Sequence, residues 1–273
     1  MYRDIFGKDV VINNKKLWLF DLDGTVYEEE RVFEGTFELL ANIKKIGGKY
    51  VFITNNSSRS VMDYVKKINK LGIEGGEENF LTSAMAAIFR IKKDHPGAKV
   101  YCQGTGSFIA ELKDSGIDVT EKVEPVDIVL VGYDMELSMD KIQRTCEILS
   151  TQNPVYIATN PDWACPVRFG FIPDCGSICQ MIEHATGKKP VFVGKPQKTM
   201  IEIAMEKSGF NKEETVVIGD RLYTDILAGI NAGVSTICVL TGEASEKSIK
   251  EGDIKPDYVF MSVKEINEAL KAF

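Results

Sequence analysis

Histidine is nearly missing from this chain, two in 273 residues, and that scarcity argues against a mechanism centred on imidazole chemistry. No apolar run approaches the roughly 20 residues needed to cross a bilayer, and residues 1–16 lack the apolar centre of a secretory signal. Neither a membrane span nor export is expected. Excess positive charge is lacking as well: 33 Lys and Arg face 40 Asp and Glu, a formal net charge of -7, which excludes general electrostatic attraction to nucleic acid or to an anionic membrane. Six cysteines are too few for a disulfide scaffold in a chain of this length, and none forms a CxxC pair. Cys165, Cys175 and Cys179 are separated by nine and three residues, with His184 the nearest histidine, a spacing unlike that of a zinc site. Free thiols fit a reducing compartment, and a cytoplasmic location is expected.

What is present is an ordinary globular composition, 44% hydrophobic and 27% charged, with room for one large domain or two modest ones. The informative stretch is LWLFDLDGTVY, residues 17–27. An apolar strand runs into Asp21 and Asp23, and Gly24-Thr25 lets the chain turn as the strand ends. At the carboxyl edge of an open α/β sheet, where ligands bind, two carboxylates at this spacing can serve a divalent cation, a nucleophile and an acid/base. A calcium loop also begins with alternating aspartates, but it needs further oxygen ligands and a helix on each side, and here a strand precedes.

The rest of the chain reads as alternating strands and helices. A second buried strand, 49–53, ends in Thr54-Asn55-Asn56-Ser57-Ser58 and leads into an amphipathic helix over 61–71. Those small polar residues ahead of a helix suit an anion, or else Ser57 or Ser58 simply caps the helix. A second βα series begins near residue 80. Strand endings with suspicious chemistry fall in two blocks, 17–58 and 194–225, so the expected architecture is α/β: a Rossmann-like, doubly wound parallel-sheet core, 1–82 and 187–273, interrupted by a smaller αβ cap over 83–186.

Four elements converge on one chemistry: Asp21 with Asp23, the hydroxyl of Thr54, Lys195, and the run GDRLYTDI with Asp220 and Asp225. Phosphoryl transfer through an aspartyl-phosphate calls for a carboxylate that attacks phosphorus, a cation and a lysine that neutralise the equatorial oxygens, and a second carboxyl that handles the leaving-group proton. A receiver-like signalling module that accepts phosphate on aspartate gathers similar groups, but it lacks so large an insertion and needs no carboxyl two residues after the nucleophile. A non-catalytic binding protein on the same fold is the other alternative, and it would not require every motif residue to be intact.

In order and spacing the motifs resemble those of the haloacid dehalogenase superfamily, and DLDGTVY, TNNSS, LTSAMAAI, ATNPD, VGKP and GDRLYTDI together resemble its NagD-like subfamily along nearly the whole chain. About 30 residues between Asp21 and Thr54 leave no space for a cap there, so the cap follows the second motif. The resemblance implies Asp21 as nucleophile and Asp23 as acid/base. It implies magnesium held by Asp21, the Asp23 carbonyl and Asp220, with Asp225 acting through water, and a phosphoryl group bound by Gly24, Thr54, Asn55 and Lys195. It further implies cap residues Asn160, Asp162 and Arg168 near the substrate. The activity so implied is hydrolysis of a small phosphorylated metabolite, such as a nucleoside monophosphate or sugar phosphate, with para-nitrophenyl phosphate as an artificial substrate. Relatives often dimerise through their caps, and a homodimer of that kind is an expectation here. Tyr223, where many relatives carry a small, acidic or amide residue, is the one departure within the motifs.

Overall fold

The strand Leu17–Phe20 lies near the middle of a six-stranded sheet in the computed structural model, which describes residues 2–167 and 169–272. All four of its residues are buried, since a run of Leu, Trp, Leu and Phe has no polar face to offer water. Each such side chain contributes on the order of 1.5–3 kcal/mol by leaving solvent. The strand pairs in parallel with Lys49–Thr54 on one side and Thr215–Gly219 on the other. Ser235–Val239 and Tyr258–Phe260 extend the sheet in parallel beyond Thr215–Gly219, and Phe80–Thr82 forms the opposite edge. The chain thus winds outward in one direction from Leu17–Phe20, then returns and winds outward in the other from Thr215–Gly219. Their junction is the topological switch point, and residues following both strands face the crevice that opens there. The fold is α/β and doubly wound.

The chain divides into two compact units, the first comprising Met1–Thr54, Val65–Leu81 and Lys195–Phe273, the second Asn55–Tyr64 and Thr82–Gly194. The second unit has its own five-stranded sheet, in the order Val191–Phe192, Val155–Ala158, Ile128–Val131, Lys99–Gln103 and Asp118–Thr120, every pair parallel. Val191–Phe192 falls in a stretch assigned to the core from sequence, and in the structure it completes this second sheet beside Val155–Ala158. One face of the sheet packs the helices Met139–Thr151 and Cys175–Thr186 through Tyr133, Ile148, Leu149, Ile178 and Ile182. A short antiparallel hairpin, Ala164–Val167 with Gly170–Pro173, carries the exposed aromatic residue Phe171.

The helix Val61–Lys70 begins differently from expectation. Ser60, rather than Ser57 or Ser58, caps it: the Asp63 N–H donates to Ser60 Oγ at 3.3 Å, and Ser60 N–H donates back to the Asp63 carboxylate at 3.3 Å. Ser57 and Ser58 are engaged elsewhere. Ser57 Oγ accepts the Tyr133 N–H at 3.0 Å and lies 3.0 Å from Thr159 Oγ1, and Ser58 Oγ donates to Asn56 Oδ1 at 2.7 Å. Among the described residues, no helix is long and apolar enough to cross a membrane.

Candidate active site

Asp21 follows Leu17–Phe20 directly, and Asp220 follows Thr215–Gly219, so the two carboxylates stand side by side at the switch point. Asp225 joins them from the next turn. One oxygen from each of Asp21, Asp220 and Asp225 lies within 4.8 Å of the others. Lys195 enters the cluster from the side: its Nζ donates to Asp21 Oδ1 at 2.5 Å, to Asp225 Oδ1 at 2.6 Å and to the Ile53 carbonyl at 3.1 Å. Asp220 is fixed by Thr25 Oγ1, 3.1 Å from Oδ1, and by the Glu243 N–H, 2.9 Å from Oδ2.

Two glycines make the fit possible. At Gly24, where φ is +89°, an added Cβ would stand 2.7 Å from the Asp220 carboxylate, and at Gly242 it would collide with the same group. The glycine of the DGT turn therefore has a steric task as well as a conformational one. Asp225 reaches the cluster because Leu222–Ile226 forms a π-helical turn, with the Ile226 N–H donating to the Arg221 carbonyl at 3.2 Å. Asp225 Oδ2 in turn accepts the Arg221 N–H at 3.1 Å.

Burial pushes the Asp21 carboxyl up to about 8, opposed by Lys195 and reinforced by Asp225 and Asp220. Burial likewise pushes Asp220 up to about 6, with Asp225 adding to the shift and the Glu243 N–H opposing it. Burial alone would lower the Lys195 ammonium, but Asp21 and Asp225 outweigh it, and the net direction is upward. Lys195 offsets one carboxylate of three, and Arg221 is shared with Glu243 Oε2 at 3.2 Å. The remaining buried negative charge and the all-oxygen donor set fit a hard divalent cation.

The other expected residues are distributed as follows. Asp23 stands in the turn, its side chain 60% exposed. Thr54 ends its strand and is buried. Asn55, the next residue, belongs to the second unit, where its Nδ2 donates to Asp162 Oδ2 at 3.0 Å. Asn160 is fully buried, and its Nδ2 donates to Asp162 Oδ2 at 3.1 Å and to Asp174 Oδ1 at 3.0 Å. Arg168 lies outside the described residues. Tyr223 is half-exposed and its hydroxyl donates to Glu243 Oε2 at 3.3 Å, joining it to the carboxylate that holds Arg221. Cys175 and Cys179 are buried with their sulfurs 4.0 Å apart on one helix face. Thr25, Arg221 and Glu243 join the cluster beyond the residues expected to act there, and the first two lie inside the motifs themselves.

The chain is similar to known phosphatases along nearly its whole length. The haloacid dehalogenase-like hydrolase family matches residues 18–118, and a HAD-hydrolase-like family matches residues 192–266. An acid sugar phosphatase of Staphylococcus aureus (strain MRSA252) is 33% identical over 256 residues, 93% of this chain and 96% of its own length. NagD from Escherichia coli K-12 superposes with a TM-score of 0.84 at 35% identity, covering 92% of this chain and 98% of that one. The chain belongs to the NagD-like subfamily of haloacid dehalogenase phosphatases. A 4-nitrophenylphosphatase from Thermotoga maritima, with a TM-score of 0.92 at 34% identity, covers 96% of this chain and 100% of its own. Both family matches contain a pole of the switch point, Asp21 in one and Asp220 in the other.

Proposed function

We propose that this NagD-like phosphatase is a magnesium-dependent phosphomonoesterase that hydrolyses a small phosphorylated metabolite through an aspartyl-phosphate on Asp21. The observation that carries the reading is the buried cluster of Asp21, Asp220, Asp225 and Lys195 at the switch point. Asp21 attacks phosphorus, the P–O bond to the leaving group breaks, and the leaving oxygen takes the proton of the Asp23 carboxyl group. Asp23, now a carboxylate, then accepts a proton from the water that attacks the aspartyl-phosphate, which frees phosphate and restores Asp21. Gly24, Thr54, Asn55 and Lys195 bind the transferring group, with Lys195 countering charge on its oxygens. Asp21, the Asp23 carbonyl and Asp220 would hold a magnesium ion, which would supply further neutralisation of the phosphoryl oxygens. Asp225 would act on that ion through water, and it also orients Lys195 and the Arg221 backbone.

The first unit is the catalytic core and the second the specificity cap. Of the polar cap residues expected to meet substrate, Asp162 is partly exposed, whereas both amide protons of Asn160 are already donated. The names of the relatives favour a sugar phosphate, and para-nitrophenyl phosphate is a suitable chromogenic substrate. Six free thiols suit a cytoplasmic setting, and a homodimer through the cap is the assembly to look for. The decisive experiment is a screen of phosphorylated metabolites with released phosphate as readout, run with magnesium, with excess chelator, and with Asp21→Asn. Magnesium-dependent turnover lost in the variant supports the reading; full activity in chelator rejects it.

A further inference from the structure

Asp23 is a poor candidate for a fixed acid if considered alone, because an exposed aspartate at a turn samples several rotamers, whereas proton transfer demands one orientation. In this chain it is not alone. Lys67, in the last turn of the helix Val61–Lys70, brings its Nζ to 3.5 Å from Asp23 Oδ1. The same ammonium sits 4.1 Å from the ring centroid of Tyr27. The Tyr27 hydroxyl donates to the other carboxylate oxygen, Asp23 Oδ2, at 3.4 Å. The three side chains form a closed triangle in which each touches the other two.

Tyr27 is the rigid member. It is fully buried, its carbonyl accepts the Gly24 N–H at 2.9 Å, and it pairs with Val32 in the short hairpin Tyr27–Glu28 and Arg31–Val32. Its ring is a platform on which a cation rests with favourable electrostatics. A second tie, Lys70 Nζ to Glu30 Oε1 at 2.8 Å, joins the same helix end to the same segment. An ion pair this exposed adds little to stability. Orientation is the task that the triangle can perform.

We propose that Lys67, seated on Tyr27, is a positioning residue that holds the Asp23 carboxyl in line with the leaving oxygen. The proposal rests on the acid role given to Asp23 above. Lys67 exchanges no proton: the leaving oxygen takes its proton from Asp23, and the P–O bonding pair goes to that oxygen.

The test uses two esters of similar size and different need for an acid. Phenyl phosphate requires protonation of its leaving oxygen, whereas para-nitrophenyl phosphate expels a stabilised anion. The measured quantity is kcat/KM, which covers only the steps through release of the phenol, so hydrolysis of the aspartyl-phosphate does not enter. Lys67→Met should lower kcat/KM on the order of tenfold for phenyl phosphate and less than about threefold for the nitrophenyl ester. Lys67→Arg should restore most of the loss, and Tyr27→Phe, which keeps the ring, should lose less than Lys67→Met. In an Asp23→Asn background, Lys67→Met should have no further effect. Equal losses on both esters, or additive losses in the double variant, would overturn the proposal. If Asp23→Asn itself affects both esters equally, the acid role of Asp23 fails first, an outcome distinct from failure at Lys67 alone.

Discussion

Two buried polar clusters follow parallel strands in this molecule, and they are built on opposite principles. In the first unit, Asp21, Asp220 and Asp225 face one another across less than 4.8 Å, and Lys195 counters part of their charge. In the second, the carboxylates of Asp162 and Asp174 accept amide protons from Asn55 and Asn160, and Thr159 Oγ1 donates to Asn160 Oδ1 at 2.9 Å. The second cluster pairs its carboxylates with amide donors; the first crowds three carboxylates around a single lysine ammonium. Strain of the first kind belongs to chemistry and satisfaction of the second kind to architecture.

The sharpest way to break this contrast is Asp21→Asn, which removes the attacking oxygen and relieves the crowding of like charges. Turnover should fall by about 10⁴-fold or more while the far-ultraviolet circular dichroism is unchanged. Residual activity near the parent level would remove Asp21 from the nucleophile's role.

Next in size, Asp220→Ala should abolish rescue of chelated enzyme at magnesium concentrations that fully restore the parent, whereas Asp225→Ala should retain rescue with lowered kcat. Titration of activity against magnesium distinguishes the two, and a reversed ranking would make Asp225 the direct ligand.

In the second unit, Asn160→Ala removes one amide hydrogen bond from each of two carboxylates, while Asp162 Oδ2 keeps the Asn55 amide and Asp174 Oδ1 keeps the Cys175 N–H. Stability should fall by about 1–3 kcal/mol in urea unfolding, at roughly 0.5–1.5 kcal/mol for each hydrogen bond lost. Turnover of para-nitrophenyl phosphate should persist under conditions where the variant remains folded. A variant of normal stability with altered substrate preference would instead make Asn160 a reader of substrate and blur the contrast.

The smallest effect concerns pH. Asp21 and Asp220 titrate in the folded chain at about 8 and about 6, above the ordinary carboxyl value of 3.8. Their contribution to stability is therefore fully present below about pH 4 and is lost as pH rises through 6 and then 8. In chelator, Tm should fall by a few degrees between pH 5 and pH 8, magnesium should raise it more at pH 8 than at pH 5, and Asp21→Asn should flatten the profile. A chelated parent protein whose Tm rises over that interval would contradict the assignment.

Much of the catalytic geometry was legible because it is written in strand ends. LWLF can only be a buried strand, so Asp21 had to emerge at its carboxyl edge, and the same holds for Asp220 after TVVIG. Three things were not legible. The π-helical turn that returns Asp225 to the cluster depends on a hydrogen bond from residue 226 to residue 221, which no apolar period encodes. The hairpins Tyr27–Glu28 with Arg31–Val32 and Ala164–Val167 with Gly170–Pro173 are too short for alternation to stand out. Lys67 resembles any lysine on the wet side of an amphipathic helix until Asp23 and Tyr27 are seen beneath it.

The second sheet reverses its winding between Lys99–Gln103 and Ile128–Val131, the kind of notch in which open sheets elsewhere hold nucleotides or other guests. Here the chain has filled the notch with itself. Ser57 takes the Tyr133 N–H, and the carbonyl of Ser58 takes the Thr105 hydroxyl at 3.3 Å. The unit therefore has a resident plug, and the plug lies far from residue 83 in sequence. A fragment cut at 83–186 would leave its sheet short of the strand Val191–Phe192 and its notch open to water, so anyone isolating this unit must carry both flanking segments along or expect a sticky, half-finished protein.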